Sequence, residues 1–171
     1  MQFKEAVKLV GISEGGYDNN PHDSGNFVNG VLIGTKFGIS ARAYYIETGK
    51  IPSVPFMKVM TFEEAEAHYK RFYWDKFLIE SYDEEFRYPI FDMYVNHSPD
   101  GVKTILERAR ALETYLNSGK VYTMESITKC RMVFYKQITE RNHETKFFLN
   151  GWIKRAKEVY KNQTGKEFIE K

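Results

Sequence analysis

The sequence predicts a mainly α-helical chain of the α+β kind, a helical bundle with one small β-hairpin near its N-terminal loop. Three observations predict it. Apolar residues recur at helical spacing over most of the length, beginning with Phe3, Ala6, Val7 and Val10. Helix starts carry capping chemistry, as in Thr61-Phe62-Glu63-Glu64 and Ser98-Pro99. An Asn-Gly pair stands between apolar β-formers in Phe27-Val28-Asn29-Gly30-Val31-Leu32-Ile33, which is a strong short-range hairpin signal.

The elements follow in order. Residues 2 to 13 read as an amphipathic helix that Gly15 and Gly16 stop. Residues 18 to 26, DNNPHDSGN, are turn chemistry throughout. The Asn29-Gly30 hairpin comes next, and helical texture returns from Ser40 to Thr48. Thr61 opens a helix to about Trp74, and Asp83 to Asn96 reads helical with Pro89 limiting or kinking it. Ser98 caps a helix that runs to about Asn117 and ends at Gly119. Thr123 to about Asn142 and Thr145 to about Asn162 complete the set.

Composition narrows the class. The 171 residues suit one domain or a pair of lobes, and at 42% hydrophobic and 28% charged they can build a core. A net charge of +2 lacks the clustered basic face of a nucleic-acid binder. The single cysteine, Cys130, excludes an internal disulfide and reads as a buried, inert thiol. The four histidines are scattered without ligand spacing, so neither metal nor cofactor is expected. The N-terminal MQFKEAVKLVG is too polar for a signal peptide and no long apolar run exists. The expectation is cytoplasmic synthesis without membrane insertion.

The chemistry concentrates near the front, in ISEGGY followed by DNNPHDSG. Glu14 falls at a helix C-terminus, where the negative end of the macrodipole favours the protonated carboxyl. Such a group can serve as a general acid. Asp23 lies in a polar turn rich in donors and should stay ionised. Two carboxylates in opposed environments are the pattern for glycosidic bond cleavage. Turn structure is the competing reading, because Asp commonly caps turns with its own side chain.

The run EGGYDNNPHDSG resembles the opening motif of the glycoside hydrolase family 108 muramidases, roughly EGGYxNNPxDxGGxTxxGIT. GTKFGIS (34–40) is similar to the end of that motif, FYWD (72–75) and IFDMYVNHSPDG (90–101) to later segments, and GWIKR (151–155) to a C-terminal GWxxR. The resemblance spans nearly the whole chain in order. It implies a lysozyme-like fold with a catalytic region over 1–88, a helical predicted peptidoglycan-binding region over 89–165, and a tail over 166–171. It also departs from the pattern: Asn26 replaces the second Gly, and FVNGVLI intervenes before Gly34-Thr35. An extended hairpin turning at Asn29-Gly30 could absorb those residues and return Thr35 to its place.

The resemblance implies an N-acetylmuramidase that cleaves the β-1,4 bond between N-acetylmuramic acid and N-acetylglucosamine in peptidoglycan glycan strands. Glu14 is then the acid, Asp23 positions or activates water, and Thr35 helps hold it. Tyr17, Tyr94 and Asn96 are the expected substrate contacts, Tyr17 by stacking and Asn96 by bonding an N-acetyl group. Packing under the turn for Tyr17 and helix capping for Asn96 stay open. An inverting mechanism is expected, for which the carboxylates stand roughly 6.5 to 9.5 Å apart, against about 5 Å for retention. A phage-type lysin of this kind reaches the wall after release, with a separate holin or export system as partner. The rivals are a lytic transglycosylase, and a non-catalytic wall-binding or regulatory module, since some relatives carry a secretion activator label. Lys154, Arg155, Lys157 and Lys161 read as a solvated face or as a contact for anionic wall polymer.

Overall fold

The architecture comes from a computed structural model, which describes residues 1–10 and 16–170. The chain divides into two compact units. One is Gln2–Ser81, and the other runs from Tyr82 onward and takes in Met1.

The N-terminal unit opens with α1 (Phe3–Leu9), which buries Ala6 and Val7. Helix was expected as far as residue 13; Val10 already caps α1, and 11 to 13 lie outside the described residues. β1 (Phe27–Val28) pairs antiparallel with β2 (Val31–Leu32). Asn29 and Gly30 both take positive φ, 49° and 79°, as a primed two-residue turn requires. A second hairpin follows at once, β3 (Thr35–Lys36) with β4 (Ile39–Ser40), turning on Phe37 and Gly38 at φ 49° and 76°. The sequence pattern had shown one hairpin. Two-residue strands carry too little alternation to reveal the other.

Ser40 ends β4 and caps α2 (Ala41–Thr48), its hydroxyl accepting the Ala43 N–H. α3 (Val54–Val59) is capped by Ser53 and carries a proline in its first turn, where the missing N–H costs nothing. It was not anticipated, because no element was assigned between Thr48 and Thr61. Thr61 and Glu64 close the expected capping box on α4 (Phe62–Tyr69), which continues as a π-helical segment, Lys70–Asp75. Trp74 is buried there, with Phe3 packed edge-on at 5.3 Å.

The C-terminal unit is helical among its described residues. α5 (Glu84–Asn96) holds the buried Pro89 inside it, and α6 (Pro99–Tyr115) starts from the Ser98 cap. α7 (Met124–Arg141) starts from Thr123, and a 3-10 stretch, His143–Phe148, leads into α8 (Leu149–Thr164). The Thr145 start expected for the last helix falls within that 3-10 stretch. Cys130 is buried. No helix among the described residues is long and apolar enough to cross a membrane.

Candidate active site

Glu14, the expected general acid, lies outside the described residues. The loop that follows it is tightly specified. Asp18 and Thr35 exchange both backbone hydrogen bonds, at 2.9 and 2.7 Å, as an isolated antiparallel bridge. Gly34 lies alongside at φ 108°. A Cβ there would come within 2.7 Å of the Asp18 carbonyl and 2.7 Å of the Tyr17 ring, so this close crossing needs glycine. The half-buried Tyr17 donates its hydroxyl to the Ile33 carbonyl at 2.7 Å. Its phenol is therefore engaged in holding the loop to the strand, and Lys58 sits 5.3 Å from its ring centroid.

Asp23 is exposed and caps the 3-10 turn Ser24–Asn26, its Oδ1 accepting the Gly25 N–H at 2.8 Å. Asn26, fully buried, is the hub of the loop. Its Nδ2 donates to the Asn20 carbonyl at 3.0 Å, and its N–H donates to the Asp23 carbonyl at 3.1 Å. Its own carbonyl accepts the N–H groups of Ile33 and Gly34 at 2.8 and 3.1 Å. Its Oδ1 accepts the Thr35 hydroxyl at 2.6 Å.

The intervening FVNGVLI thus folds back on itself as the β1–β2 hairpin, and Thr35 emerges bonded to the residue three places after Asp23. Asp23, Thr35 and Tyr17 are gathered around one loop. Sequence reasoning noted Asn26 only as a departure, yet it joins Asp23 to Thr35. An Asn at a buried loop position, able to donate and accept at once, was the signal. A groove of about 680 Å³ flanks this loop, lined by His22 and Ser24 on either side of Asp23, by the β1–β2 turn, and by Arg42 and Tyr45 of α2.

A family model described as glycosyl hydrolase 108 matches residues 7–98, more than half of the chain. The chain belongs to glycosyl hydrolase family 108. A second model, described as a predicted peptidoglycan domain, matches residues 89–157 of this family 108 chain. It is a peptidoglycan-degrading glycoside hydrolase. The fold of this hydrolase is similar to that of Brucella abortus SagA, with a TM-score of 0.71 over 95% of this chain and 94% of that one. At 18% identity the likeness shows a shared fold, mainly helical and lysozyme-like. Among curated proteins none matches the chain.

The other expected substrate contacts of the hydrolase belong to the C-terminal unit. Asn96 is exposed and donates its amide to the Asp92 carbonyl of its own helix at 2.7 Å. Tyr94 is partly buried, and burial followed by the nearby Tyr82 pushes its phenol up to about 12.

Behind them lies a cluster the sequence did not reveal. Asp92 is fully buried. Nη2 and Nε of Arg155 reach its Oδ1 at 2.6 and 3.0 Å, and Arg131 meets Oδ2 at 2.6 Å as a charge contact rather than an aligned hydrogen bond. Burial alone raises the carboxyl; Arg131 and then Arg155 outweigh it and hold Asp92 below the usual carboxylate range. Arg155 is therefore turned into the unit, which corrects the solvated face expected for it. Among the described residues, no group of three or more His, Cys, Asp or Glu could hold a metal ion.

Proposed function

We propose that the protein is an N-acetylmuramidase acting on the β-1,4 bond between N-acetylmuramic acid and N-acetylglucosamine. The observation that carries the reading is the Asn26 hub, which ties the Asp23 turn to the Thr35 hydroxyl despite the extended hairpin. In this mechanism Glu14 protonates the leaving glycosidic oxygen. Asp23, exposed, orients water for attack on the opposite face, with Thr35 supporting that water, and inversion follows. Tyr17 shapes the loop beneath the sugar. Tyr94 and Asn96 are proposed substrate contacts contributed by the C-terminal unit. The region from 89 on serves wall recognition, and access to the wall comes through a separate pore-forming or export partner.

Product analysis tests the chemistry. Digests of purified peptidoglycan, reduced with borohydride and weighed by mass spectrometry, should yield muramitol-ended fragments. Anhydro-muramyl ends would replace hydrolysis with transglycosylation, and N-acetylglucosaminitol ends would move the cleaved bond.

A further inference from the structure

The N-terminal unit holds a second concavity, of about 510 Å³, framed by α2, α3 and α4. Its walls are aromatic. The Tyr44 ring stacks on His68 at 5.6 Å and 13°, and Phe56 and Phe72 stand beside them at 5.2 Å from Tyr44 and 4.6 Å from His68. Its floor is polar. The His68 imidazole bonds the Glu47 carboxylate, and both side chains are largely removed from water at 6% and 11% exposure. Glu47 also takes a hydrogen bond from Tyr73, whose phenol is pushed up by burial and then by that carboxylate.

The carboxylates lining the cavity already have partners. Glu47 is held by His68 and Tyr73, and Glu64 accepts the Thr61 N–H at 2.8 Å in its capping box. The cations at the rim differ. Lys50 and Arg71 are exposed, and neither forms an ion pair among the described residues; Arg71 lies 5.2 Å over the Phe72 ring. Aromatic faces accept the C–H face of a sugar ring by dispersion, and unpaired cations beside them accept an anion.

From this arrangement we propose that the cavity is a binding site for a carboxylate-bearing amino sugar, separate from the Asp23–Thr35 loop. The ring lies against Tyr44, Phe56 and Phe72, and the carboxylate meets Arg71 and Lys50. Glu47 and His68 hold α2 to α4 and set the floor. The site rests on the peptidoglycan reading, in which two sources supply this chemistry: the lactyl carboxylate of stem-free muramic acid, and a carboxylate of an attached stem peptide. Its role is to grip the strand away from the bond being cut.

Calorimetric titration of the full chain in a Glu14→Gln background tests the site, with three probes. These are N-acetylmuramic acid, N-acetylglucosaminyl-N-acetylmuramyl dipeptide, and uncharged diacetylchitobiose. Arg71→Gln and Lys50→Gln alter only exposed side chains, and Lys103→Gln on α6 controls for general charge effects. The proposal expects one or both anionic probes to bind, each rim variant to weaken that binding about tenfold, and Lys103→Gln to leave it unchanged. Binding of the free sugar acid identifies the lactyl source, and binding of the muropeptide alone identifies the stem. No binding, equal binding of chitobiose, or affinities indifferent to Arg71 and Lys50 overturn the site. Reducing-end release by the unaltered enzyme is scored separately. Hydrolysis with indifferent binding removes the site alone, and rim-sensitive binding without hydrolysis removes the muramidase reading alone.

Discussion

Replacing Asn26 by Ala should unpin the loop that carries Asp23. The side chain makes two hydrogen bonds from a fully buried position, to the Asn20 carbonyl and from the Thr35 hydroxyl. At about 1 kcal/mol net for each bond, the loss is about 2 kcal/mol. For a chain of this size that lowers Tm by roughly 4 to 8 °C. Thr35→Val removes one of the two bonds and strands the Asn26 Oδ1 without a donor, costing about 1 to 3 kcal/mol. The two residues touch, so the double variant should fall short of the sum of the singles by about 1 kcal/mol. The assay is thermal unfolding by circular dichroism of the four proteins, alongside release of reducing ends from peptidoglycan. Hydrolysis should collapse in Asn26→Ala and in Thr35→Val, and a fifth protein, Thr35→Ser, which keeps the hydroxyl, should retain part of it. Additivity within about 0.5 kcal/mol, or full hydrolysis in a folded Asn26→Ala protein, would refute the hub.

Other outcomes follow from the same structure. Asp92→Ala leaves the buried Arg131 without its counter-charge and should cost about 3 to 5 kcal/mol in denaturant unfolding. Arg155→Ala should cost less, because Asp92 keeps Arg131. Burial, and then Arg131, hold the His97 imidazole down to about 4. A group depressed on folding contributes its full stability above its unfolded pKa, near 6.5, and loses it as pH falls toward the folded value. Wild type should therefore lose about 3 kcal/mol between pH 6.5 and 4, and His97→Gln should show a flatter profile. Asp92, depressed from the usual carboxylate range, adds a further loss below about pH 4. Gly34→Ala should destabilise the N-terminal unit, because its Cβ meets the Asp18 carbonyl and the Tyr17 ring; an unchanged melting curve would remove the close-crossing account.

Local chemistry made much of the fold legible. Thr61 and Ser98 announced their helices because a cap is settled by a hydroxyl and its next three residues. Asn29-Gly30 announced its hairpin for the same reason. The second hairpin stayed hidden because its turn places Phe37, a poor left-handed residue, at φ 49°. In the site, the order of Asp23 and Thr35 was readable and the means of joining them was not. Asn26 reaches Thr35 across nine positions, and that bond exists only once the hairpin has formed. Glu47 with His68, and Asp92 with Arg131 and Arg155, are pairings between helices distant in sequence. No local spacing encodes them. Arg155 looked like one more lysine-face residue until its partner on α5 was in view.

In this reading family 108 chemistry runs through Glu14, ahead of the loop that Asn26 organises. Reducing-end release from purified peptidoglycan, comparing wild type with Glu14→Gln at matched circular dichroism, tests it most directly. The substitution keeps the side chain's shape and removes its titrating proton. Wild type should hydrolyse the glycan, and the variant should lose at least about 100-fold, the scale of general acid catalysis. A folded Glu14→Gln protein that cleaves as fast as wild type, or a wild type that binds the wall and releases nothing, would contradict this reading.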